Sequence, residues 1–155
     1  MSIPVRLYRI GNFFQKKRLS TIGKMISFLN RFLFATWLPS SASIGKNFTL
    51  GYGGLGVVIH SNTQIGDNCL VAQNVTIGRN FGDTKVPVIG NDVYIGAGSV
   101  IFGEITIGDN VIIGSNSLVN KSVPNNCTVV GNPMKIIATD REKKYYEIDK
   151  ELGVK

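Results

Sequence analysis

A branched aliphatic residue returns every six positions through most of this chain: Ile59, Ile65, Val71 and Ile77, then Ile89, Ile95, Ile101, Ile107, Ile113 and Val119. Glycine often follows it, at Gly66, Gly78, Gly90, Gly96, Gly108 and Gly114. A helix wants a period near 3.6 and a half-buried strand a period near two, so a strict six excludes both as the dominant organisation. The fifth position of each hexad is small or branched as well: Thr63, Cys69, Val75, Val93, Ser99, Ile105, Val111, Ser117 and Val123. The two positions together describe an all-β solenoid. Short strands meet at sharp corners, both residue types point inward, and glycine takes corner conformations that are costly for other residues. Three hexads per triangular coil make roughly 18 residues per turn.

The register slips by three at Ile44-Gly45 and Leu50-Gly51, which predicts an irregular glycine-rich stretch over residues 51–56. It breaks once more at residues 79–87, read as an extruded loop. If the chain leaves the triangle there and returns to it, three columns stack: Ile59, Ile77, Ile101 and Val119; Ile65, Ile89 and Ile107; Val71, Ile95 and Ile113. The corner after the first column then reads His60, Gly78, Phe102 and Asn120, the only corner with large side chains and the place of the sole histidine. Loops on rigid scaffolds are favoured functional positions, and the ordinary pKa of a histidine suits proton transfer near neutrality. His60 is therefore the expected general base. A histidine in a repeat protein is more often a plain surface residue, and the position beside the one irregular loop tips the balance. Cys69 falls at an inward position and Cys127 in the closing segment with no second histidine to activate it, so neither is expected to act as a nucleophile.

Charge is uneven. The first 66 residues carry eight basic side chains and no acidic one before Asp67. Such an arm, interleaved with aromatic residues, suits nucleic acid, an anionic membrane or an acidic partner, although no nucleic-acid-reading motif accompanies it. Residues 4–17 and 20–36 read as two helices. In the second, Ile22, Met25, Ile26, Leu29, Phe32 and Leu33 form an apolar stripe that packs on the body or on another subunit, or lies at a membrane surface with Lys24 and Arg31 off the stripe. The apolar run before residues 39–43 is not read as a signal peptide, because the stretch ahead of it is too long and aromatic. The chain thus divides into a basic helical arm (residues 1–43), a β-helix (44–138) and a charged tail (139–155). A cytoplasmic protein with peripheral contact at the inner membrane face is expected.

Over about residues 44–138 the repeat is similar to the hexapeptide-repeat, left-handed parallel β-helix family. The closing segment, residues 123–137 with Gly131-Asn132-Pro133-Met134-Lys135, resembles that of acyl-CoA-dependent hexapeptide O-acetyltransferases. Gln73-Asn74-Val75-Thr76-Ile77-Gly78 and Val93-Tyr94-Ile95-Gly96-Ala97-Gly98-Ser99 look most like the serine acetyltransferase branch and its relatives in surface-polysaccharide gene sets. This resemblance implies acetyl-CoA as donor and a homotrimer with each active site between neighbouring subunits. It also implies a CoA groove at Ala97, Ser115, Asn120, Lys121 and Lys135; Gly78, at the corner shared with His60, is a further cofactor-binding candidate read from its place in the repeat.

Laid without gaps over serine acetyltransferases, their two active-site histidines fall on Gly53 and Val86, and a short arm replaces their long helical domain. Polysaccharide-locus relatives resemble residues 52–60 instead, with the histidine at His60. The function expected from this is acetyl-CoA-dependent O-acetylation of a sugar hydroxyl in surface polysaccharide biosynthesis by direct transfer. His60 serves as base, backbone N–H groups near Gly78 or from a neighbouring subunit donate to the oxyanion, and Asn74 or Gln73 are the side-chain candidates for that role. Serine O-acetylation and a non-catalytic scaffold are the alternatives. A β-helical carbonic anhydrase needs three metal-bound histidines, so one histidine excludes it and no metal is expected.

Overall fold

The computed structural model describes residues 1–151 and 153. Its body is a parallel β-solenoid of about 4 turns in the left-handed hexapeptide-repeat form. One face stacks β1 (Ser43–Ile44), β4 (Gln64–Ile65), β7 (Val88–Ile89) and β10 (Thr106–Ile107). A second stacks β2 (Thr49–Leu50), β5 (Leu70–Val71), β8 (Tyr94–Ile95), β11 (Ile112–Ile113) and β13 (Thr128–Val130), with β14 (Lys135–Ala138) antiparallel to β13 at the end. The third stacks β3 (Val58–Ile59), β6 (Thr76–Gly78), β9 (Val100–Phe102) and β12 (Leu118–Val119). The strand pairs place Ile59 on Ile77 on Ile101 on Val119, as the periodicity predicts, with the second residue of each short strand turned inward and buried.

The three-residue slip near the start resolves as a 3-10 turn at Gly51–Gly54, and Ile44 pairs with Ile65 despite the longer coil. The last coil is shorter than the hexads imply. Val123 bridges to Ile107 and Val129 pairs with Ile113, each sixteen residues on, so Val123 takes the aliphatic column rather than a fifth position. Cys127 consequently joins Phe48, Cys69, Val93 and Val111 in one buried interior column.

The glycines serve a different purpose from the expected one. The residues with left-handed φ at the corners are mainly asparagine and aspartate, such as Asn68 (56°), Asp92 (57°) and Asn110 (55°), types whose short polar side chains tolerate that region. Gly66 and Gly90 have ordinary φ, and they are small because the next coil is close. A Cβ on Gly66 would lie 2.6 Å from the Gly90 carbonyl oxygen. That closeness lets side chains link the rungs: Asp67 accepts the Lys46 N–H at 2.6 Å, Asn91 accepts that of Asp67 at 2.8 Å, and Asp109 accepts that of Asn91 at 2.6 Å.

Helices α1 (Ile3–Lys16) and α2 (Ser20–Phe34) form a hairpin over the first coil, each ending a little before its sequence-based boundary, where Ala35 adopts a left-handed φ of 50°. From α1, the Tyr8 hydroxyl donates to the Ala42 carbonyl (2.7 Å) and accepts the Ile44 N–H (3.1 Å). Arg9 donates to the carbonyls of Ile44 and Gly45, and Asn12 donates to that of Ser40 (2.8 Å). These side chains satisfy backbone groups that the top coil leaves without a neighbour.

Helix α2 faces opposite to one of the expectations. Its buried residues are Gly23, Ser27 and Asn30, while Met25 is 66% exposed and Phe32 87%. Small residues allow close approach here: Ser27 Oγ lies 2.9 Å from Ser40 Oγ, and Asn30 donates to the Pro4 carbonyl at 3.0 Å. The apolar stripe therefore does not pack on the body of its own chain.

The described part of the tail lies along one corner of the solenoid. Arg141 donates to the Asn110 side-chain oxygen at 2.6 Å, Tyr145 to the Asn68 carbonyl at 3.0 Å, and Lys144 pairs with Asp92 at 3.0 Å, just before and within α3 (Tyr145–Glu151). Burial alone would raise the Asp92 carboxyl, and hydrogen bonds from Lys144, Asn68 and Tyr146 outweigh it and lower the pKa. Residues 152, 154 and 155 of the expected tail lie outside the described residues.

The closeness of the coils gives a direct test by urea or thermal unfolding. Gly66→Ala is expected to cost about 1–3 kcal/mol through overpacking against the next rung. Gly78→Ala, where an added Cβ meets nothing within 4 Å, is expected to stay within about 0.5 kcal/mol of the parent.

Candidate active site

The corner after β3, β6, β9 and β12 is the roomy one. Gly78 pairs with Phe102 across the stack, and the His60 N–H donates to the Ile77 carbonyl at 2.9 Å, which sets His60 one rung above Gly78. A bulky residue fits here because the chain leaves the triangle at residue 79 and the next coil does not close over the position. His60 is half-buried, and its Nδ1 accepts the Asn62 N–H at 3.2 Å. In the neutral ring this places the proton on Nε2 and the basic lone pair on Nδ1. Ser61, the next residue, lines a recess of about 350 Å³ shared with Lys24, Phe28, Trp37 and Ser41 beneath α2.

The loop at residues 79–87 is tied down by a residue that the sequence did not single out. Glu104 Oε1 accepts the Thr84 N–H (2.9 Å), the Thr84 hydroxyl (2.9 Å) and the Lys85 N–H (3.0 Å). These hydrogen bonds, led by that of the Thr84 backbone, hold the exposed Glu104 carboxyl below its ordinary range. The only advance signal was a lone acidic residue two positions past the bulky corner at Phe102. Phe81 at the loop tip is fully exposed.

Gln73 and Asn74 stand at a different edge of the prism. They belong to the corner that leads into β6, whereas His60 belongs to the corner that follows β3, so the two sets flank one face and do not meet within a single chain. Ala97 and Ser115 share the edge of Gln73: the Gly98 N–H donates to the Gln73 carbonyl and the Asn116 N–H to that of Ala97. Lys135, exposed on β14 and paired with Val130, lies at the lower end of that same edge. Asn120 and Lys121 follow β12 on the His60 edge, below Gly78. The two positions that the resemblance matches to histidines are divided likewise. Gly53 sits in the 3-10 turn on the Asn74 side and buried Val86 closes the loop on the His60 side. Neither can carry a proton, and His60 is the only imidazole of the chain.

Both thiols are interior. Burial pushes Cys69 up to about 11, and Cys127 is buried in the same column. No group of three or more potential metal ligands occurs among the described residues.

The pattern described as bacterial transferase hexapeptide (six repeats) matches residues 87–121. The serine acetyltransferase of Helicobacter pylori is 36% identical over 136 residues, covering 86% of this chain and 79% of the relative. That of Synechococcus elongatus is 36% identical over 132 residues, covering 84% of this chain and 54% of the relative, so the chain spans about half of that protein's length. Among solved structures, the serine acetyltransferase of Brucella abortus in complex with coenzyme A superimposes with a TM-score of 0.83 at 28% identity, over 88% of this chain and 56% of that one. These findings overturn the expectation of a sugar hydroxyl and a polysaccharide pathway: the matching proteins are serine acetyltransferases.

The Glu104 clasp predicts how the loop responds to substitution and acid. Because the folded carboxyl is lowered, the clasp is intact above the ordinary glutamate range and is lost as pH falls through that lowered value. Glu104→Gln is expected to speed tryptic cleavage after Arg79 or Lys85 severalfold at neutral pH. In the parent, the Thr84 and Lys85 amide resonances should titrate below the usual glutamate midpoint. An unchanged cleavage rate would remove Glu104 as the clasp.

Proposed function

The chain belongs to the hexapeptide-repeat transferases, among which its relatives are serine acetyltransferases, and on that premise we propose that it is an acetyl-CoA-dependent acyltransferase that O-acetylates serine. The likeness to serine acetyltransferases along most of the chain, one of them solved with coenzyme A, carries this reading. The β-helix domain, residues 44–138, supplies the machinery. Small residues at Ala97 and Ser115 admit the pantetheine arm along one edge, with Gly78, Asn120 and Lys121 on the facing edge, and the cations of Lys121 and Lys135 meet phosphate.

Two separated edges make a site when protomers associate. In a homotrimer the His60 edge of one protomer meets the Gln73–Asn74 edge of the next, and the acceptor lies between them. The serine hydroxyl oxygen attacks the thioester carbonyl carbon while its proton passes to Nδ1 of His60, displacing the Asn62 N–H. Asn74 and Gln73 donate to the oxyanion. Collapse breaks the carbon–sulfur bond, and the proton goes to the departing thiolate of CoA. Burial of both cysteines favours this direct transfer over an acyl-enzyme. The helical arm, residues 1–43, places the enzyme at an anionic membrane.

With L-serine and acetyl-CoA, release of the CoA thiol measures turnover. His60→Ala is expected to lower kcat by about 10²–10⁴-fold with CoA affinity and assembly retained, and His60→Asn to do the same. Near-normal turnover in both variants rejects His60 as base, and O-acetylserine absent from the products of the parent rejects serine as acceptor. Light scattering is expected to give three chains per particle, and an active monomer rejects the shared site.

A further inference from the structure

The stripe that α2 turns outward needs a cover. Ile22, Met25, Ile26, Phe28, Leu29 and Phe32 line an open groove of about 590 Å³, and α1 adds exposed Ile3, Ile10 and Phe13. Apolar surface of this kind on a protein otherwise well packed marks an interaction site. The same hairpin is cationic: Arg6, Lys16, Lys17, Arg18 and Lys24 are exposed on it, and no acidic residue occurs before Asp67. Arg9 and Arg31 are set apart, the first hydrogen-bonded to the top coil and the second stacked on Trp37 at 5.6 Å.

We infer that the outward face of the α1–α2 hairpin seats on an anionic lipid bilayer, with the α2 stripe in the acyl region and the lysines and arginines at the phosphates. Charge decides between this occupant and a second copy. Two such faces brought together would oppose like charges, and at least half of the chain's ten acidic side chains are already engaged. Asp67 and Asp109 bond the rungs, Glu104 holds the loop, Asp92 is paired with Lys144, and Glu151 with Lys143. A bilayer with acidic headgroups offers both an apolar interior and negative charge. Among the described residues no helix is long and apolar enough to cross a membrane, so the hairpin lies on the surface. The polar side of α2 is held to Ser40 through Ser27 and to α1 through Asn30, which leaves the apolar side free to meet lipid without unfolding. This rests on the membrane location proposed for the arm and is independent of the acceptor.

Flotation of the full chain with vesicles tests it, comparing phosphatidylcholine alone with a 70:30 mixture of phosphatidylcholine and phosphatidylglycerol. The parent is expected to float with the anionic vesicles at low salt, and the bound fraction to fall at least threefold between about 0.05 and 0.5 M salt. Leu29→Ser with Phe32→Ser, and separately Lys16, Lys17 and Arg18 each changed to Gln, are expected to reduce it tenfold or more with unchanged particle mass, melting temperature and serine acetylation in solution. Equal flotation on neutral vesicles overturns the inference. So does binding that survives both sets of substitutions, or a smaller particle mass in the Leu29/Phe32 variant, which would make the stripe a contact between subunits. Loss of flotation with activity intact leaves the catalytic reading untouched.

Discussion

Rungs about 4.8 Å apart leave no room between corners for a side chain directed along the stack. Gly66 and Gly90 answer this constraint by having no Cβ to place there, and Asn68, Asp92 and Asn110 answer it by turning the chain through a left-handed φ. The same closeness carries the side chains of Asp67, Asn91, Asp109 and Asn125 to a backbone N–H of the rung beside them, so neighbouring coils position one another. Where the stack loosens, beside the loop at residues 79–87, a histidine and a phenylalanine occupy corner positions instead. The proposed base thus sits where the spacing rule is relaxed.

The relaxed edge has little of its own with which to do the proposed acyl transfer. His60 stands there with a backbone N–H on Nδ1, and the side-chain donors Gln73 and Asn74 stand across a face of the prism. A flat-faced solenoid brings two edges together only by lying against another. Assembly is therefore part of the proposed chemistry, and a clasp such as Glu104 matters because the loop it holds flanks the edge where the neighbour would meet it.

The columns of the core were legible because a strict period of six is local and repeated, and each strand needs only one inward residue. The corner chemistry was less so: glycine signals both left-handed φ and close approach, and only coordinates show that Gly66 is a case of the second. The stripe of α2 was read correctly as apolar, but periodicity says which side is apolar and not where that side points. Gly23, Ser27 and Asn30 look like the weaker side of the helix until the nearness of Ser40 and Pro4 shows that they make the contact. His60 was visible as the departure from a small corner. Its distance from Asn74 was not, since sequence places both beside the same strands without saying that they belong to opposite corners.

Tyr8, Arg9 and Asn12 do more than fasten a helix. A stack of coils with an open top is a template onto which another chain could lay a matching rung, and growth by repeated addition would yield a filament. At the upper end those three side chains occupy the carbonyls that such a rung would need. At the lower end β14 runs antiparallel to β13, so the terminal strand presents the wrong direction to a parallel newcomer. The hairpin and β14 are thus the two stops of a one-dimensional lattice. A chain shorn of its first helix would lose more than a point of attachment: its upper rung would present bare carbonyls, and β14 alone would stand between the solenoid and growth by stacking.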